Sequence, residues 1–108
     1  MRKAKFLNRN LVIEKLTKMA LRLSARDNNI KKIVLFGSLA NNTYTGTSDA
    51  DLLIILKESS HRMIDRIPNL MQHFVRAPVP VDIFPYTESE VKAIPLAQRA
   101  LREGITLS

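Results

Sequence analysis

Three aspartates in this sequence stand where carboxylates can do chemistry. Asp49 and Asp51 lie two residues apart at the mouth of the apolar stretch Ala50–Leu56, so an extended chain projects both side chains from one face. Two ionised carboxylates held side by side repel each other. A divalent cation between them reverses that cost, and an all-oxygen donor set suits Mg²⁺. An Asp-x-Asp taken alone is equally a polar turn in which Ser48 and Asp49 cap backbone N–H groups. The third carboxylate, Asp82, sits in the apolar run 79–84, where a buried Asp is costly unless it is paired or metal-bound. Its alternative is a solvent-facing residue of an edge strand. If the two strands are neighbours, Asp49, Asp51 and Asp82 share one site.

Gly37-Ser38 offers the complementary half. A strand that stops at Gly-Ser and turns into a helical segment exposes backbone N–H groups beside a residue without a Cβ, a geometry that accepts phosphate oxygens. Gly-Ser after a strand is also common in ordinary turns, so it gains meaning only beside the aspartates.

The elements that must position these residues are legible as an alternation of helices and strands. Residues 7–27 form an amphipathic basic helix with Val12, Leu16, Met19, Ala20 and Leu23 on one stripe, Asn8 as N-cap, and Asp27-Asn28-Asn29 closing it. A strand follows over Ile30–Phe36, then a short helical turn within 38–43 and a polar loop to Ser48. Ala50–Leu56 is apolar at nearly every position, which implies burial on both faces. Pro68 argues against a helix running through from Ser60, so a helix is predicted over 67–75 with Pro68 in its first turn. A third strand spans 79–84, delimited by Pro78, Pro80 and Pro85. Thr87-Glu88-Ser89-Glu90 is a capping box that starts a helix. Pro95 interrupts it or starts a second one, Gly104 sits where a C′ glycine would end that one, and a last short strand is expected over 105–107. The expected fold class is α+β of α/β type: one domain, 1–108, with a short sheet of three to four strands packed by helices.

Composition bounds the partners. The chain has 108 residues, no cysteine and a net charge of +7, which excludes a disulfide framework and a thiolate metal site. Residues 1–32 carry ten Lys or Arg against Glu14 and Asp27, so the other 76 residues sum to −1. That asymmetry suits an anionic partner (nucleotide, nucleic acid or an acidic protein face) or a solvated helix face. The longest apolar run is too short to span a bilayer, and no apolar h-region follows the basic start, so no membrane association is expected and a cytoplasmic location is. His61 and His73 lack metal-ligand spacing. Arg62 and Arg66 read as solvated charges or as phosphate contacts, and Tyr44 as a packed loop residue or a base-stacking one.

The sixteen residues Gly37-Ser38-Leu39-Ala40-Asn41-Asn42-Thr43-Tyr44-Thr45-Gly46-Thr47-Ser48-Asp49-Ala50-Asp51-Leu52 resemble the signature of the DNA-polymerase-β-like nucleotidyltransferase superfamily. There, Gly-Ser, a small residue two further on, and Ser-Asp-x-Asp-Leu recur at this spacing. The likeness covers residues 30–107, and the short length resembles the minimal nucleotidyltransferase (MNT) branch, whose members are commonly partners of HEPN-domain proteins, some as toxin–antitoxin pairs. The resemblance implies a nucleotidyltransferase fold with a mixed sheet and two-metal nucleotidyl transfer. Asp49 and Asp51 would hold Mg²⁺ against the triphosphate of ATP, and Asp82 would complete the metal site and help deprotonate the acceptor. Gly37, Ser38 and Ser48 would bind the nucleotide. The implied reaction moves AMP to a hydroxyl, such as a tyrosine of a HEPN-type partner. Two residues depart from the pattern: Asn42 where many relatives carry glycine, and Leu39 where a basic or aromatic residue often stands.

Besides the enzyme, two other classes fit the sequence: an antitoxin-like subunit that neutralises its partner by complex formation alone, and a nucleic-acid binder using the basic helix. The sequence leaves open whether Pro78, Pro80 and Pro85 leave a sheet edge free for self-association into a homo-oligomer.

Overall fold

The apolar run Ala50–Leu56 forms strand β2 and organises everything around it. The computed structural model describes residues 8–41 and 49–108. Helix α1 (Arg9–Arg26), strand β1 (Ile30–Phe36) and the one-turn helix α2 (Ser38–Asn41) precede β2. Helix α3 (Met63–Met71), a 3-10 turn (Gln72–Phe74), strand β3 (Val81–Thr87), helices α4 (Glu88–Val91) and α5 (Pro95–Glu103), and strand β4 (Ile105–Thr106) follow. The strands form one four-stranded mixed sheet in the order β3-β2-β1-β4. β1 runs antiparallel to β2 and β4, whereas β3 lies parallel to β2.

Each face of the sheet carries its own core, which is why β2 is apolar at consecutive positions. On one side Ile33, Leu35, Leu52, Ile54 and Ile83 pack with Val12, Leu16, Ala20 and Leu23 of α1 and Leu70 of α3. On the other, Val34, Leu53 and Ile55 pack with Val91, Ala97 and Ala100 of α4 and α5. The helix stripe expected from the sequence is thus the buried stripe of α1. Asn8 caps α1, its side chain accepting from the Leu11 N–H, and the Asp27 carboxylate accepts from the Asn29 N–H at the other end.

Two elements differ from expectation. α3 begins at Met63 and carries Pro68 in its interior rather than in its first turn. The i→i−4 bond that Pro68 fails to make would have used the carbonyl of Ile64, a solvent-exposed residue, so water can meet that group. β3 runs on through Pro85 to Thr87 instead of ending at Phe84. The Pro85 carbonyl accepts from Nη1 of Arg66 at 3.0 Å. A strand residue turns its N–H and C=O to the same side, so the N–H that Pro85 lacks belongs to the outer edge, where no ladder bond is lost. Arg66 and α3 therefore cover the β3 edge at this point.

Arg66 itself is a correction. It is not a solvated charge but a buried one, with a side chain only 5% exposed. Its guanidinium donates to both carboxylate oxygens of Glu90 at 2.7 and 3.0 Å and to the His61 carbonyl through Nε and Nη2. Arg62 stays at the surface, paired with Asp65. Glu90 also accepts from the Thr87 N–H, while Thr87 Oγ1 accepts from the Glu90 N–H, completing the capping box of α4. The sequence reading lacked this link because Arg66 and Glu90 are separated by a whole strand.

Gly104 closes α5 in extended rather than left-handed geometry. What it needs is space: a Cβ there would stand 2.6 Å from the carbonyl oxygens of Ala100 and Leu35.

The Arg66–Glu90 link makes a pH prediction. The Arg66 hydrogen bonds, followed by the Thr87 N–H, lower the Glu90 carboxyl from 4.5 to about 2. A depressed carboxylate stabilises the fold fully above its ordinary titration range, and that contribution is lost as pH falls toward 2. Glu90→Gln is therefore expected to lower the melting temperature at pH 7 and to flatten its decline between pH 5 and 2, followed by circular dichroism. Arg66→Leu, which strips donors from three acceptors, should cost on the order of 2–3 kcal/mol by urea titration.

Candidate active site

The turn after β1 brings the two halves of the motif into contact. Gly37 has φ +82°, in the left-handed region, and a Cβ on it would collide with Oδ2 of Asp51. Glycine is thus required twice, for backbone conformation and for the approach to the carboxylate. The turn continues into α2, where the Asn41 N–H donates to the Gly37 carbonyl at 3.0 Å. Ser38 opens α2 next to Asp51's neighbour Gly37.

The sheet register assembles the carboxylates. Asp51 pairs with Phe36 on β1 and with Asp82 on β3, so Phe36, Asp51 and Asp82 form one row across three strands on the face shared with α5. Asp49 lies two residues before Asp51, and the Ala50 N–H donates to the Pro80 carbonyl at 2.8 Å, aligning the acidic ends of β2 and β3. Asp51 is half-buried, whereas Asp49 and Asp82 are exposed. Burial first, then the charges of Asp82 and Asp49, pushes the Asp51 carboxyl above its ordinary value. Phe36 of this row and Phe84, one row back on β3, meet edge to face with centroids 5.3 Å apart, crossing β2 diagonally beside Asp51.

These three carboxylates fit a hard divalent cation by donor type and by mutual repulsion. Among the described residues, however, no three acidic, imidazole or thiol side chains, these three aspartates included, stand in a group that could hold a metal ion. Asp51 stands in register with Asp82 and two residues from Asp49, and burial together with those two charges disfavours its ionised form.

A cleft of about 320 Å³ adjoins this row, lined by Phe36, Gly37 and Asn41 on one side and Leu96, Arg99 and Glu103 of α5 on the other. The sequence offered no signal for Arg99 in the cleft, since α5 reaches it only through tertiary packing. A second residue missed from sequence is Arg9, whose guanidinium donates to the carbonyls of Leu39 at 2.7 Å and Ala40 at 3.3 Å. It ties α2, and with it the Gly37 turn, to α1. Leu39 is fully buried, so this departure from the motif is a core residue. Ser48, Asn42 and Tyr44 lie outside the described residues.

Comparison with known proteins agrees with this geometry. The nucleotidyltransferase domain family matches residues 16–105, and the chain belongs to that family. Its fold is shared with a protein assigned as a nucleotidyltransferase from Sulfolobus solfataricus, 20% identical with a TM-score of 0.70 over 98% of this chain and 87% of that one. The chain is also similar to a toxin–antitoxin structure with AMP-PNP, at 25% identity and TM-score 0.61 over 94% of this chain and 73% of that one. A structure assigned as a minimal nucleotidyltransferase is 28% identical with TM-score 0.59, over 86% of this chain and 93% of that one. No curated protein matches the sequence. The protein is a nucleotidyltransferase, with minimal nucleotidyltransferases and a toxin–antitoxin complex as structural neighbours.

Two substitutions test the geometry. Gly37→Ala should cost about 1–3 kcal/mol, since it forces an L-residue to positive φ against a carboxylate. Asp51→Asn, which removes one of the repelling charges, should raise the melting temperature of the metal-free protein at pH 7. The same variant should lose any upward shift that millimolar Mg²⁺ or Mn²⁺ produces in the parent, read by differential scanning fluorimetry.

Proposed function

We propose that this nucleotidyltransferase moves AMP from ATP to a hydroxyl, with a tyrosine of a HEPN-type protein as acceptor, and that Asp49, Asp51 and Asp82 hold Mg²⁺ for the reaction. The observation that carries the reading is the row Phe36–Asp51–Asp82 with Gly37 packed on Asp51, which sets a carboxylate cluster beside a backbone turn that no Cβ blocks. Bound Mg²⁺ supplies charge neutralisation for the triphosphate and for the departing pyrophosphate. Gly37 leaves room for a phosphate to approach the turn, Ser38 donates its hydroxyl to a phosphate oxygen, and Ser48 is assigned to the nucleotide on the motif alone. Asp82, exposed and opposite Asp51, is the base that draws the proton from the acceptor hydroxyl. The hydroxyl oxygen bonds to the α-phosphorus, the bond to the bridging oxygen breaks, and pyrophosphate leaves.

A protein partner is supported by the toxin–antitoxin neighbour. A cytoplasmic setting suits an ATP-consuming enzyme, and no described helix is long and apolar enough to cross a membrane. The same neighbour favours one second reading, an antitoxin subunit that neutralises its partner by binding alone.

Incubation with α-labelled ATP, Mg²⁺ and a co-purified HEPN-type partner should transfer label to the partner. Asp49→Asn combined with Asp51→Asn should reduce labelling at least about 100-fold, the scale of a lost metal ligand set. Persistent labelling in that double variant overturns the site. Full neutralisation of the partner by the double variant supports the binding-only reading.

A further inference from the structure

At the opposite end of the sheet from Asp51, and on the same face, lies an open groove of about 600 Å³. Its floor is apolar: Ile55 of β2, Val91 of α4 and Leu101 of α5. Its rim is basic, with Lys31, Lys32, Lys57 and Lys92.

The clustering has a local cause. The β1–β2 register shifts between Ile30 and Lys32. In a regular strand, residues three apart point to opposite faces, yet Ile30 and Ile33 both enter the core under α1. The irregularity therefore inserts one residue and turns Lys31 and Lys32 together toward the groove, as bulges re-aim side chains. Lys57 follows β2 and Lys92 ends α4, both exposed. Glu88 is the acidic residue lining the groove, and it pairs with Lys31 at 3.4 Å. Among the described residues, Lys32, Lys57 and Lys92 have no carboxylate within ion-pairing distance.

We infer that this groove docks an acidic segment of a partner protein, whose carboxylates meet the lysine rim and whose apolar side chains meet the floor. Charge complementarity selects the sign of the segment, and the floor selects a peptide over a nucleic-acid strand. Among the described residues no aromatic or arginine side chain lines the groove, and these are the stacking platform and bidentate fork by which bases and phosphates are usually held. Lys32 and Gly37 are five residues apart on β1, about 17 Å at the rise of a strand, so a segment in the groove leaves the cleft beside Gly37 open to nucleotide. The inference names the docking surface for the partner of the proposed reaction and rests on that reading of the protein as a partnered enzyme.

The test is binding, independent of catalysis. The probe is a fluorescent glutamate-rich peptide carrying two leucines, compared by anisotropy with an all-glutamate peptide of equal length and with a single-stranded oligouridine. The leucine-containing peptide should bind tightest, weaken with added salt, and lose about tenfold in affinity to Lys57→Glu with Lys92→Glu, two exposed positions that leave the fold intact. Lys15→Glu with Lys18→Glu, on the exposed face of α1, should leave binding unchanged. The Asp49→Asn, Asp51→Asn protein should bind the peptide as the parent does, which separates failure of docking from failure of the active site. Binding indifferent to Lys57 and Lys92, or lost equally in the α1 variant, overturns the inference. So does tighter binding of oligouridine that the groove variant abolishes.

Discussion

The close packing of Gly37 against Asp51 is the contact on which the rest of the site depends. It exists because β1 and β2 run antiparallel in a register that places Phe36 opposite Asp51, so the residue after Phe36 must turn away directly over the carboxylate. Only a residue without a Cβ makes that turn at positive φ with a carboxylate oxygen behind it. One steric constraint thus couples a backbone turn to a charged side chain. Arg9 holds the turn through the carbonyls of Leu39 and Ala40 in α2, and the buried Leu39 side chain anchors it in the core.

The carboxylates are uncomfortable without a counter-charge, and the fold keeps them so. Asp51 is half-buried beside the Phe36–Phe84 pair, with Asp82 in register and Asp49 two residues away. Such an arrangement costs stability in the bare protein, a familiar feature of sites built to bind charge. The compensation sits elsewhere, in the two apolar layers that enclose β2 and in the Arg66–Glu90 link that joins α3, β3 and α4. That link also braces β3, the strand that presents Asp82.

The two ends of the sheet differ in chemistry. At one end lie the aspartates and the Gly37 turn; at the other, lysines surround an apolar groove. On the proposed reading, a partner held at the basic end does not compete with nucleotide for the acidic end. The positive charge counted in the first 32 residues is divided accordingly: Lys31 and Lys32 serve the groove, Arg9 braces the turn, and Lys15 and Lys18 remain on the exposed face of α1.

Much of this was written locally in the chain. The stripe of α1, the doubly buried β2, the capping box at Thr87–Glu90 and the Gly37-Ser38 to Asp51 motif are short-range patterns, and periodicity or spacing suffices to read them. Pro68 and Pro85 misled because their cost depends on which way the missing N–H would have pointed, a property of the neighbouring elements rather than of proline. Arg66 misled for a similar reason, since its partner lies 24 residues away. The three aspartates and the glycine were thus determined as a set by the sequence itself. Only the tertiary structure decided that Asp82 stands in register with Asp51, that Arg99 reaches the cleft, and that a shifted strand gathers lysines at the far end, because each is set by pairing between segments distant along the chain.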